Sequence, residues 1–231
     1  MLSLPWLLFA TSLIPVSAKA DEAAYRHSAS VAIGEESFLD VPALALTTGG
    51  QGTGLSRGLT DAAGYGPFRV VDEQRVEMLG SVESDTPAEF RRLLSHYPGI
   101  REIRMVECPG SDDDDANLEL AAMVRRAGIS TFVPANGSVR SGAVELFLAG
   151  RERRAEPGAE FAVHSWRDED GMEAKDFAAS DPVHRPYLDF YRAIGMTDQQ
   201  ARAFYALTNS VSFDDALYLQ ARDIARFVAL N

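Results

Sequence analysis

The chain has 231 residues, 46% of them hydrophobic, and a formal net charge of −12 at pH 7. The apolar share excludes a disordered polypeptide and suggests one domain of ordinary to large size. The acidic balance argues against nucleic acid or an anionic membrane surface as partner, because phosphate binding needs clustered Lys and Arg. The single cysteine, Cys108, leaves no internal disulfide and no structural zinc spacing.

Residues 1–20, MLSLPWLLFATSLIPVSAKA, hold an apolar run that ends in Ala18-Lys19-Ala20, the small-x-small form of a signal-peptidase site before Asp21. They read as a signal peptide, which implies a periplasmic or otherwise exported protein. Pro5 and Pro15 interrupt the run, and it is short for a membrane span. Residues 21–67 lack sustained periodicity, and TTGGQGTGLSRGLTDAAGYG is too rich in glycine for a regular element, so this part reads as a flexible N-terminal extension. No Gly-Lys-Ser/Thr ends the glycine cluster, so it is not read as a phosphate loop.

Residues 68–231 form the expected α/β domain. FRVVDEQRVEMLGSV reads as a hairpin. In SDTPAEFRRLLSHYPGI, Asp85 or Thr86 can cap a helix with Pro87 at its start, an apolar face of Phe90, Leu93 and Leu94, and a stop at Pro98-Gly99. REIRMVEC is a strand by composition. A helix follows from about Ala116 to Ala127, with Leu118, Leu120, Ala121, Met123 and Val124 as its buried face and Gly128 as its terminator. The four acids Asp112–Asp115 complement the positive end of that helix; a calcium site is the weaker reading, since the EF-hand glycine and distal glutamate are missing. STFVPA reads as a strand and SGAVELFLAG as a helix. This alternation is the pattern of an α/β sheet with right-handed crossovers. A Pro157-Gly158 turn leads into a strand that ends at His164, and a further helix is expected from Tyr187 to about Leu207.

Two residues stand at element ends in a way that suggests chemistry. Ser141 opens the SGAVELFLAG helix, where free backbone N–H groups lie beside its hydroxyl, and His164 closes the later strand. The chain from Gly150 to His164 can span about 45 Å, so it can return along a helix of about 15 Å and bring the two together. Either residue could instead be structural, Ser141 as an N-cap and His164 as a hydrogen-bonded strand end. Upstream, Pro109-Gly110-Ser111 lies where a strand gives way to a helix, at the strand's carboxyl end, where α/β sheets place their sites.

The order of these pieces, and above all SGAVELFLAG and PGAEFAVHSW, resembles the ClpP/crotonase superfamily, and within it exported proteins related to the Clp protease proteolytic subunit. The resemblance covers roughly residues 68 to 228. It implies a ClpP/crotonase-like spiral of ββα units carrying an N-terminal extension, and a serine hydrolase acting on a peptide or ester. Ser141 would be the nucleophile and His164 the base, with Gly110, Ser111 and Gly142 as the oxyanion hole. The third triad member would be Asp215, with Asp214 and Asn209 as alternatives. No metal or organic cofactor is implied, and a homo-oligomer is expected. Ser111 replaces the second glycine of the hole, and the acids after it set negative charge near a developing oxyanion. Hence the rival expectation is a catalytically silent relative that binds peptide or assembles with envelope partners. A crotonase-type reaction on acyl-CoA is disfavoured for an exported chain. Arg140 is expected to pair with an acid. Trp166, Tyr187 and Tyr191 are expected in the core or lining a groove, and His27, His96 and His184 in solvent.

Overall fold

The computed structural model describes residues 64–231; the expected signal peptide, His27 and nearly all of the extension lie outside the described residues. The first strands, β1 (Phe68–Val70) and β2 (Arg75–Leu79), pair antiparallel as the hairpin pattern predicts. Their turn is closed by Asp72, which accepts from the Gln74 amide and from the Arg75 guanidinium. Tyr65, three residues ahead of β1, is already buried against this unit.

Helix α1 (Thr86–His96) follows, with Asp85 before it, Pro87 in its first turn, and Phe90 and Leu93 fully buried. Strand β3 (Glu102–Cys108) lies parallel to β2, and α2 (Asp114–Ala127) returns over the sheet and ends at Gly128 in the left-handed region at φ 66°. Next come β4 (Ser130–Val133), β5 (Ser138–Arg140), α3 (Ala143–Ala149), β6 (Arg153–Ala155) and β7 (Glu160–Val163). The C-terminal part holds α4 (Arg185–Ala193), α5 (Asp198–Thr208), β8 (Leu217–Leu219), which is antiparallel to β7, and α6 (Ala221–Ile224).

The register shows how the chain winds. Strand β3 serves two ladders, pairing with β4 over Glu102–Arg104 and with β5 at Glu107 and Cys108. Strand β6 then pairs parallel with β4, and β7 pairs parallel with β5. Each later turn of chain therefore lays one short strand on each ladder, which is the expected spiral of ββα units. The core between ladders and helices includes Val76, Met78, Ile103, Met105, Phe147 and Phe161, none measurably exposed. All seven residues of α3 are buried, and the helix packs against α2 and against strands β4, β5 and β7.

Three sequence readings need correction. Strands β5, β6 and β8 have no counterpart in the sequence pattern; at three residues each, SVR, RRA and LYL are too short to show alternation. The helix expected from Tyr187 to Leu207 is two, α4 and α5, separated at Gly195 with φ 105°, a conformation that interrupts any right-handed helix. His184 is buried rather than solvent-facing: it bonds the Tyr205 hydroxyl at 2.8 Å and the Ala178 carbonyl at 3.0 Å. His96 is exposed as expected and bonds the Tyr65 hydroxyl. Arg153, also buried, donates to Leu148 O at 2.6 Å and Ile194 O at 3.3 Å, placing its cation at the carboxyl ends of α3 and α4. Burial pulls its pKa down to about 10.

Candidate active site

The residues singled out in the sequence come from three neighbouring strand ends. Arg140 of β5 pairs with Ala162 of β7, and the ladder continues one residue further, since the Ser141 amide donates to Ala162 O at 2.8 Å. That register sets Ser141 beside Val163, with His164 next along the strand, and adjacent strands lie about 4.8 Å apart. Ser141 and His164 therefore leave neighbouring strands one register position apart, and both line one cavity of about 760 Å³.

Ser141 has φ 49° and is the only non-glycine residue with positive φ among the described residues. A left-handed conformation at a residue with a Cβ costs on the order of 1–2 kcal/mol. It arises here because the chain must leave β5 and enter α3 within two residues, and the serine lines the cavity at the end of the strand. The Ser141 hydroxyl has no hydrogen-bond partner among the described residues, and the residue is half-buried. Its carbonyl accepts from the Val144 amide.

The loop after β3 packs directly onto this turn. A Cβ on Gly110, whose φ is 141°, would lie 2.9 Å from the Ser141 Cβ, so this approach requires glycine. A Cβ on Gly142 would press into Ser111 Oγ and come within 2.9 Å of the Asn117 amide nitrogen. The backbone amides of Gly110, Ser111 and Gly142 donate to no acceptor among the described residues. Ser111 makes a bridge to Val82 through its neighbours, with Val82 N donating to Gly110 O and Asp112 N to Val82 O. That bridge leaves the Ser111 amide directed away from Val82.

Two side chains hold the loops in place. Ser111 Oγ donates to Asp114 at 2.9 Å, and Asn117 Nδ2 donates to Gly142 O at 2.7 Å from a site only 1% exposed. Asn117 Oδ1 is buried without a partner, so the amide is kept for the bond to Gly142 at a cost in desolvation.

His164 is half-buried, and Phe213 packs edge-on against its ring at 4.9 Å. Its Nδ1 lies 2.8 Å from the Ser165 carbonyl. A carbonyl only accepts, so Nδ1 is the donor, and in the neutral ring this leaves the lone pair on Nε2, the form a general base needs. No hydrogen bond joins His164 to Ser141. The acid expected at Asp215 is not the residue that orients this ring: Asp215 accepts from Ser212 Oγ at 3.0 Å. Of its alternatives, Asp214 pairs with Arg167, and Asn209 accepts from Ser165 Oγ at 3.1 Å. The histidine is thus held by a backbone carbonyl of a residue that Asn209 holds in turn.

The opposite wall is acidic. Asp113 is the N-cap of α2 and accepts from the Ala116 amide at 2.9 Å. That bond and the Ser84 hydroxyl hold its carboxyl below the usual range. Tyr187 donates to Asp114, and Tyr191 donates to Glu145 Oε1, each at 2.5 Å. Burial pushes the Glu145 carboxyl up to about 7. Burial, reinforced by the facing carboxylates, raises both tyrosines. Glu145 was not singled out in the sequence; the available signal was one charged residue inside the apolar run AVELFLA. Arg140 pairs with Glu107, as the expectation of an acid partner required. Trp166, Tyr187 and Tyr191 all line the cavity. Cys108 is buried, and burial lifts its thiol to about 12, so it is no nucleophile. Among the described residues, no group of three or more His, Cys, Asp or Glu is placed to hold a metal ion, and no helix is long and apolar enough to cross a membrane.

No protein-family model and no curated protein sequence matches the chain. Several solved structures are similar to it. They include a mutant of the 1510-N membrane-bound stomatin-specific protease, at 14% identity over 65% of this chain and 73% of that one, with a TM-score of 0.45. A second mutant of the same protease, in complex with a substrate peptide, is 15% identical over 65% and 69%, with a TM-score of 0.44. A mutant of ClpP1 from Listeria monocytogenes is 16% identical over 67% of this chain and 87% of that one, with a TM-score of 0.47. At these identities and TM-scores the likeness assigns no residue a role. The two-ladder α/β spiral agrees with the ClpP/crotonase-like fold that the sequence motifs imply.

Proposed function

We propose that the chain is an exported serine hydrolase of the Clp type, acting on a peptide or ester carbonyl. The observation that carries this reading is Ser141 itself: a strained, cavity-lining serine with an unengaged hydroxyl, beside a histidine whose Nε2 is free and beside three unengaged amides. Backbone strain at a serine between strand and helix is where an exposed nucleophile is expected. In the reaction, His164 Nε2 takes the Ser141 proton as Oγ bonds to the carbonyl carbon. The carbonyl electron pair moves onto oxygen, where the amides of Gly110, Ser111 and Gly142 receive it. Collapse breaks the bond to the leaving group, which takes the proton from Nε2 and leaves an acyl ester on Ser141. Water repeats the sequence, releasing the acid and restoring the serine. Apo sites often show a loose nucleophile–base distance that tightens with substrate.

A silent, peptide-binding relative is the second reading, favoured by the missing Ser141–His164 bond and by the acids that face the oxyanion position. A fluorophosphonate probe separates the two. Labelling of the wild type that disappears in Ser141→Ala and slows by about 10²–10⁴ in His164→Ala supports the hydrolase. No labelling between pH 7 and 9 favours the silent relative. Export and self-association belong to the same proposal; cell fractionation tests the first and light scattering the second.

A further inference from the structure

The acids around the cavity do not all have a structural explanation. Asp113 caps α2, and Asp114 takes the hydroxyls of Ser111 and Tyr187, so this part of the wall is accounted for by the helix it starts. Glu145 is different. It is 5% exposed, it stands in a helix otherwise made of Ala, Val, Leu and Phe, and a leucine there would avoid the cost of burying a carboxyl group. Tyr191 donates to one of its oxygens, no other side chain bonds the carboxyl, and Glu145 lines the cavity together with Ser141 and Gly142.

We propose that this cavity takes a cationic side chain, an alkylammonium or guanidinium on the acyl part of the substrate, with Glu145, which gives up its proton to solvent on binding, as its counter-charge. The inference rests on the hydrolase reading for its link to catalysis. Glu145 follows Ser141 by four residues, roughly one helical turn or 6 Å, so a Lys or Arg side chain on an acyl group held at Ser141 runs along α3 toward it. Asp112, Asp115, Asp168 and Glu169 add to the same negative field. The one lining arginine, Arg167, is already paired with Asp214 and stacked on Phe213 at 3.9 Å. Trp166, Tyr187 and Tyr205 supply ring faces that favour a desolvated cation. A substrate cation also offsets the charge that these acids would otherwise set against the oxyanion.

The test compares thioesters of blocked lysine, arginine, norleucine and glutamate with the full-length protein. The lysine and arginine esters are expected to turn over at least about tenfold faster than norleucine, with glutamate slowest, and Glu145→Gln is expected to collapse that ratio while Tyr191 keeps an acceptor. Equal turnover of lysine and norleucine esters overturns the inference and leaves the hydrolase reading standing. Should no ester turn over and no probe label Ser141, the hydrolase reading fails, and calorimetry with n-butylamine and n-butylguanidine decides the site alone. Binding that Glu145→Gln removes then supports a cation site, and its absence overturns it. Free amine binding without ester preference identifies a small cation rather than a peptide side chain and overturns the substrate assignment. Thermal unfolding of Glu145→Gln guards against a variant that fails to fold, and the wild-type ester ratio decides without it.

Discussion

Two strand-to-helix junctions meet at the cavity, and they are built on opposite principles. At the first, β3 passes into α2 through Pro109–Asp113, and Asp113 supplies a side-chain cap that satisfies the Ala116 amide. At the second, β5 passes into α3 through Ser141 and Gly142 with no side-chain cap and with a serine at φ 49°. The first junction gains stability from its side chains. The second gives stability up and keeps a hydroxyl and an amide unengaged where a carbonyl could sit. Unengaged amides stand on both sides, Gly110 and Ser111 at the first junction and Gly142 at the second, but only the second adds backbone strain, which α3 carries with all seven of its residues buried.

The two junctions also titrate in opposite senses, which gives the largest predicted effect. Glu145 holds its proton in the folded state to about pH 7, against a reference value of 4.5. Between those values the native state binds more protons than the unfolded one, so stability falls as pH rises from 4.5 to 7 and is level above it. The full loss is about 3 kcal/mol, and Glu145→Gln should remove it. Denaturant melts at pH 4.5 and pH 8 check this: a wild type and variant that differ equally at both pH values would show that Glu145 does not titrate. Asp113 runs the other way, since its depressed carboxyl supports α2 above the ordinary carboxylate range and releases that support as the pH falls through its folded value.

Next in size are two substitutions expected to act with opposite signs. Ser141→Gly relieves the left-handed strain and should raise stability by about 1 kcal/mol while abolishing probe labelling. Asp113→Ala removes the cap and should lower stability by about 1 kcal/mol with labelling retained. If Ser141→Gly is destabilising, the serine is not strained and the contrast between the junctions disappears. The smallest effect is expected at Asp215→Asn. The Ser165 carbonyl already fixes the histidine tautomer, so the labelling rate should stay within about threefold; a loss near the size of removing a triad acid would restore Asp215 to the role the sequence suggested.

Part of this was legible before any coordinates. The hairpin, the α1 helix with Pro87 at its start, the Gly128 terminator and the placement of Ser141 and His164 at element ends all follow from local signals. Those signals are turn residues, caps and periodicity, which act over a few residues. The three-residue strands β5 and β6 had no such signal, because their ladder bonds come from chain far away in sequence. The break at Gly195 was legible only in principle, since a glycine within a helical pattern need not end it. Asp215 rests on the family resemblance, and a resemblance does not say which acceptor an imidazole nitrogen reaches.

The sequence by itself determined the alternation of strands and helices, the acidic character, and the two residues with the chemistry of a nucleophile and a base. These depend on side-chain type and on short-range periodicity. Only the tertiary structure decided that a parallel register between β5 and β7 brings Ser141 and His164 to one cavity, that a carbonyl rather than a carboxylate holds the ring, and that Glu145 lines the same cavity. Those are distances between residues remote along the chain, fixed by how the two ladders stack, and no local pattern encodes them.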